Sequence, residues 1–79
     1  MKKDLELDMA VNEMHFEIMN LVHIACNRKK ITKHQLAKLL GVSSSYINQL
    51  YTGKKIVSFL QMAKFQQVLD IRFETKAIK

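Results

Sequence analysis

Residues 31–55 read ITKHQLAKLLGVSSSYINQLYTGKK, and the punctuation of this stretch decides the fold. Thr32 and Ser43 each stand just before an amphipathic run, with a hydroxyl able to accept from a backbone N–H left unpaired in a helix's first turn. An apolar residue precedes each cap and another follows it by four, Ile31 with Leu36 and Val42 with Ile47, which is the spacing of a hydrophobic staple. Thr32 with Gln35 also fits a capping box, in which the glutamine reaches back to the cap's own N–H. Gly41 and Gly53, the only glycines in the chain, fall where the two helices should stop, at the position that favours a left-handed backbone. Helices are therefore expected at about 33–40 and 44–52.

The same start signal recurs downstream. Ser58, with Val57 and Met62 as staple and Gln61 as capping-box partner, predicts a helix at 59–69. After Asp70 the pattern changes: Ile71, Phe73, Thr75 and Ala77 alternate with charged residues, as in a half-buried strand. A lone strand cannot satisfy its backbone, so residues 71–79 are expected to pair with a second subunit or with the N-terminal segment, or to form a tail. Upstream, Leu7, Val11, Met14, Ile18, Leu21 and Ala25 are spaced 4, 3, 4, 3 and 4 apart, one apolar stripe if about 5–28 are helical. Leu5, Met9, Phe16 and Met19 form a shifted second set, so this helix has faces for its own core and for another subunit. Leu5, Leu7, Met9 and Val11 also fit a strand's alternation, and for the extension at 1–12 helix, strand and disorder all stand open.

At 79 residues the chain reads as one domain, and a domain this small buries only about 60% of the surface its unfolded chain exposes. A dimer contact is a natural supplement, through the first helix or the C-terminal strand. The single cysteine, Cys26, excludes an internal disulfide and multi-cysteine metal sites. No apolar run approaches the roughly 20 residues of a membrane span, and Asp4, Glu6 and Asp8 do not suit a signal peptide. A cytoplasmic protein is expected. Net charge is +6, and its distribution is uneven. Acids crowd the first 20 residues, whereas nothing from Ile18 to Leu69 is acidic and that stretch holds Arg28, Lys29, Lys30, Lys33, Lys38, Lys54, Lys55 and Lys64. A solvated face normally mixes signs, so a long one-sign stretch points to a polyanionic partner.

Two helices joined only by Gly41, Val42 and Ser43 have a turn too short for antiparallel packing and must cross steeply, as a helix-turn-helix does. Thr32, Leu36, Ala37, Gly41, Val42, Ser43, Ile47 and Gly53 stand at the spacings of the Cro and phage-repressor (Cro/C1-type, XRE-like) class, which the chain resembles over about 18–69. The resemblance implies a compact, all-α, four-helix lambda-repressor-like domain. It also implies a sequence-specific regulator of transcription, a dimeric bacterial or phage repressor in the bacterial or host cytosol. Tyr51 stands where relatives often carry glutamate, Val57 where they often carry proline, and Lys33 where they commonly carry glutamine.

At about 100° per residue, Ser44, Ser45, Asn48, Gln49 and Thr52 form one polar arc, with Ile47 and Leu50 turned the other way. None of the five is charged, whereas a face that merely meets water would more usually carry Glu or Lys. Asn and Gln can pair bidentately with adenine, and Ser can donate or accept. In the resembled class the first two residues after the cap and the one before the buried leucine read bases, which corresponds here to Ser44, Ser45 and Gln49. Asn48 joins them on chemistry. Phosphate contacts are expected from Thr32 and Lys33 at a helix N-terminus, from Tyr46 and Thr52 beside the arc, and from Lys54 and Lys55 just past Gly53.

His15, His23 and His34 lack partners placed to complete a metal site and read as surface or partly buried residues. Cys26 reads as a small core residue. No nucleophile arrangement, paired-carboxylate site or Gly-rich phosphate loop is present, so neither catalysis, a cofactor nor a small-molecule ligand is expected. A rival reading uses the scaffold as a protein-binding module, an antirepressor or antitoxin gripping a regulatory protein through the first helix. A sequence-indifferent basic coat is a third, against which the uncharged arc argues.

Overall fold

The computed structural model describes residues 2–73, which form four helices: α1 (Lys2–Lys29), α2 (Lys33–Leu40), α3 (Ser44–Thr52) and α4 (Phe59–Leu69). The last three have the expected boundaries because each is capped as its sequence indicates. The hydroxyls of Thr32, Ser43 and Ser58 accept from the backbone N–H groups of Gln35, Tyr46 and Gln61. Gln35 closes the box at Thr32, accepting from the cap's N–H at 2.9 Å. At Ser58 the expected box does not close, and Gln61 Oε1 is instead buried with no hydrogen-bond partner among the described residues. Gly41 and Gly53 both adopt the left-handed conformation, at φ +74° and +83°.

Two further helix ends use left-handed residues other than glycine, Lys30 after α1 and Asp70 after α4. At the first, the Lys30 N–H donates to the Asn27 carbonyl and the Ile31 N–H to that of Cys26, a Schellman closure that satisfies two terminal carbonyls. Beyond Asp70 the chain is not a strand over residues 71–73. The Ile71 N–H donates to the Gln66 carbonyl and the Phe73 N–H to Gln66 Oε1, and both side chains pack on the core. The backbone thus finds its partners on α4. The rest of the expected strand lies outside the described residues.

The core is built from Leu36, Ala37 and Leu40 of α2, Ile47 and Leu50 of α3, Phe65 and Leu69 of α4, and Met19, Val22, Ala25 and Cys26 of α1. Fully burying each large side chain of this set contributes about 1.5–3 kcal/mol. Ile31, Val42 and Val57, the residues preceding the caps, pack against it. The helical reading of 5–11 holds and the strand alternative does not, since α1 runs unbroken from Lys2. Its 28 residues account for the 40 Å long axis of the molecule.

The face α1 turns inward is not the expected stripe. His15, Met19, Val22 and Cys26, at spacings of 4, 3 and 4, look into the core, while Leu7, Val11, Met14 and Leu21 of the stripe are exposed. His15 also departs from its reading as a surface or partly buried residue, being only 1% exposed. Its Nε2–H donates to the Leu50 carbonyl at 2.7 Å and its Nδ1 accepts from the Val57 N–H at 3.0 Å. One neutral ring therefore supplies a donor to the last turn of α3 and an acceptor to the loop that follows.

Two substitution series test this arrangement. His15→Phe retains volume but orphans the Val57 N–H and leaves the Leu50 carbonyl only its 3.3 Å bond from the Gly53 N–H, and is expected to lower unfolding free energy by about 2 kcal/mol in urea titrations. His15→Ala adds a cavity and is expected to cost about 3 kcal/mol or more. A Cβ at Gly41 meets nothing within 4 Å, whereas one at Gly53 lies 2.6 Å from Phe16 Cζ. Gly41→Ala should therefore cost only the left-handed strain, about 1 kcal/mol, and Gly53→Ala about 2 kcal/mol, because the Phe16 ring must also swing off its edge contact with His15.

Candidate nucleic-acid interface

The turn between α2 and α3 is a Schellman closure, in which the Gly41 N–H donates to the Lys38 carbonyl and the Val42 N–H to that of Ala37. It reverses the chain within three residues. Ala37 of α2, 2% exposed, lies in the core beside Ile47 and Leu50 of α3. With Ile47 and Leu50 held inward, Ser44, Ser45, Asn48 and Thr52 are exposed on the opposite side of α3 and Gln49 is half-buried at its edge. The arc predicted to face outward does so.

Side chains of α2 join that face. Lys33 Nζ donates to Asn48 Oδ1 at 3.4 Å and stands 4.9 Å from the centre of the Tyr51 ring. His34 Nδ1 and Ser44 Oγ share a hydrogen bond of 3.1 Å. Sequence reasoning passed over His34; the only signal for it was its place in the first turn of α2, the turn that also carries Lys33. Thr32 holds its capping bond through the hydroxyl oxygen and keeps its O–H available. The amides of Lys33 and His34 have no intramolecular partner among the described residues, as is usual for a first turn.

The far end of the arc is also anchored. The Gln49 carbonyl accepts from the Lys55 N–H at 3.2 Å and from Thr52 Oγ1 at 3.3 Å, so Lys54 and Lys55 are kept beside the C-terminal end of α3, and both are exposed. Thr52 spends its donor inside the protein. Tyr46 is half-buried with its ring on the core, so it borders the arc without lying on it. Ser44, Ser45, Asn48, Gln49, Thr32, Lys33, Lys54 and Lys55 thus form one surface.

The helix-turn-helix family HTH_3 matches residues 23–75, more than half of the chain. The protein belongs to this Cro/C1-type helix-turn-helix family. It is a DNA-binding helix-turn-helix protein of the transcription-regulator kind. No curated protein and no solved structure matches the chain. Among the described residues no helix is long and apolar enough to cross a membrane, and no three His, Cys, Asp or Glu residues are grouped as a metal site would require.

Tyr51, which takes the place of the family's frequent glutamate, underlies the lysine end of this surface. Its ring is edge-on to His23 at 5.9 Å. Burial, and then the neighbouring Cys26 thiol, push its ionisation up to about 12. Burial likewise pushes the Cys26 thiol up, partly offset by the hydrogen bond with Tyr51. A folded value above the unfolded 10.0 leaves stability intact below pH 10 and removes it as pH climbs from there toward about 12. Thermal melts should accordingly show a loss of midpoint between pH 10 and 12 that Tyr51→Phe diminishes. An identical loss in the variant would show that the phenol is not its source.

Proposed function

We propose that the chain is a sequence-specific repressor of bacterial or phage transcription that binds, as a homodimer, a two-fold symmetric operator with half-sites about one helical turn apart. The observation that carries this reading is the uncharged outer arc of α3, flanked by Lys33 at one end and by Lys54 and Lys55 at the other. Hydroxyl and amide groups discriminate base edges without committing to phosphate, and flanking cations settle the helix against the two backbones.

In this reading Ser44, Ser45, Asn48 and Gln49 contact bases. Lys33 exchanges its bond to Asn48 for a phosphate, which frees the amide for adenine. Thr32 donates its O–H to the same strand, with the His34 amide beside it, and Lys54 and Lys55 grip the opposite backbone. Tyr46 and Thr52 complete the backbone contacts. Thr52 is the weakest member, because it must first release the Gln49 carbonyl.

Selection of bound sites from a random duplex pool, followed by titration at several salt concentrations, tests the proposal. A two-fold symmetric consensus is expected. With Lys33, Lys54 and Lys55 of both subunits on phosphates, log K should fall against log salt with a slope of about −5. Gln49→Ala is expected to relax one base pair in each half-site, at about 1–3 kcal/mol of lost discrimination. Lys54→Ala should weaken every sequence alike and flatten the slope by about one per subunit. Equal affinity for all duplexes would leave a sequence-indifferent coat, and binding indifferent to salt would remove the DNA reading altogether.

A further inference from the structure

The stripe of α1 that the core does not use is Leu7, Val11, Met14, Ile18, Leu21 and Ala25. Leu7 and Met14 are 64% and 66% exposed, Val11 and Leu21 are exposed as well, Ile18 is half-buried, and only Ala25 is closed off by its own domain. The alternation of three and four continues one step in each direction, to Asp4 and to Arg28, both exposed. Coiled-coil seams have this repeat of apolar residues at alternating spacings of three and four.

Charge decides the occupant and its direction. The seam has an acid at its first position and a base at its last, so it complements its own copy laid head to tail. A parallel copy would set Asp4 against Asp4, Arg28 against Arg28, and the acidic run Asp8, Glu13 and Glu17 alongside itself. An antiparallel copy relieves both ends, bringing Asp4 and Asp8 to within about a turn of the partner's Arg28, leaves Glu13 and Glu17 near the two-fold axis, and opposes the two helix dipoles favourably.

We infer that α1 docks antiparallel on α1 of a second copy of this chain, with Asp4 of each opposite Arg28 of the partner subunit. Met14 then meets Ile18 of the partner subunit and Val11 meets the partner's Leu21, with the two-fold axis passing at the level of Phe16. Leu7 lies at the rim of the seam. The strip is about 36 Å long and about 10 Å wide, roughly 720 Å² over both partners and in the range of weak, transient contacts, so the DNA-free dimer is expected to be weak and populated only at micromolar concentration and above. This gives an interface and an orientation to the dimer of the proposed function but does not depend on DNA binding.

Sedimentation equilibrium without DNA is expected to show a dimer at micromolar concentration, and Met14→Glu a monomer with unchanged helix content. Asp4→Arg and Arg28→Asp should each weaken the dimer about tenfold by setting like charges together at both ends, and the double variant should regain it. An oxidised equimolar mixture of Asp4→Cys and Arg28→Cys chains should yield the mixed disulfide dimer, with the unaltered chain, whose Cys26 is buried, as control. A monomeric native chain, a double variant that stays weak, or self-linking of Asp4→Cys alone in place of the mixed species would each overturn the inference. A dimer of this kind that ignores DNA would sink the function alone, and a monomer that binds DNA would sink this inference alone.

Discussion

Gly41, Val42 and Ser43 constrain everything that follows them. A three-residue reversal cannot lay α3 back along α2, so the two helices cross, and the crossing leaves one side of α3 without neighbours. The left-handed Gly41 satisfies two carbonyls of α2 while Ser43 satisfies an amide of α3, so both helix ends are closed by residues of the turn itself. The inward face of α3 then has only Ile47 and Leu50 to bury, which explains how so short a helix holds a fixed rotation about its axis. That rotation is what brings Ser44, Ser45, Asn48 and Gln49 to the surface.

His15 does for the C-terminal end of α3 what the turn does for its start. The imidazole joins three segments distant in sequence, α1, the last turn of α3 and the loop before α4. A buried aliphatic residue would fill the same space but would leave the Val57 N–H without its acceptor and the Leu50 carbonyl with the Gly53 N–H alone. The loop bearing Lys54 and Lys55 is therefore anchored from below by His15 and from the side by the Gln49 carbonyl. Phe16, seated over Gly53, closes the remaining edge.

The helix boundaries were legible because caps and left-handed glycines are local signals, each a matter of one side chain and the amides within three residues of it. The outward arc was legible for the same reason, its rotation being set by two apolar residues on a nine-residue helix. What lay beyond reach depends on contacts distant in sequence. Two apolar sets compete on α1, and the choice between them rests on His15, a residue whose burial no periodicity of hydrophobic residues announces. The box at Ser58 also stays open, with Gln61 Oε1 buried rather than turned back to the cap's N–H. The alternation after Asp70 looked like a strand, yet over 71–73 it serves only to dip Ile71 and Phe73 alternately into the core. The roles of the individual arc residues toward bases are chemistry inferred from side-chain type and exposure.

Tyr51 beneath Lys33 has an electrostatic consequence. A carboxylate at that place would hold the ammonium by pairing with it, and from a distance the pair would be close to neutral. An aromatic face attracts the ammonium through its quadrupole, which decays steeply with distance and cancels no net charge. Lys33 is thus steadied while its field still extends into solvent, and an approaching polyanion meets a cation with no counterion among the described residues to displace.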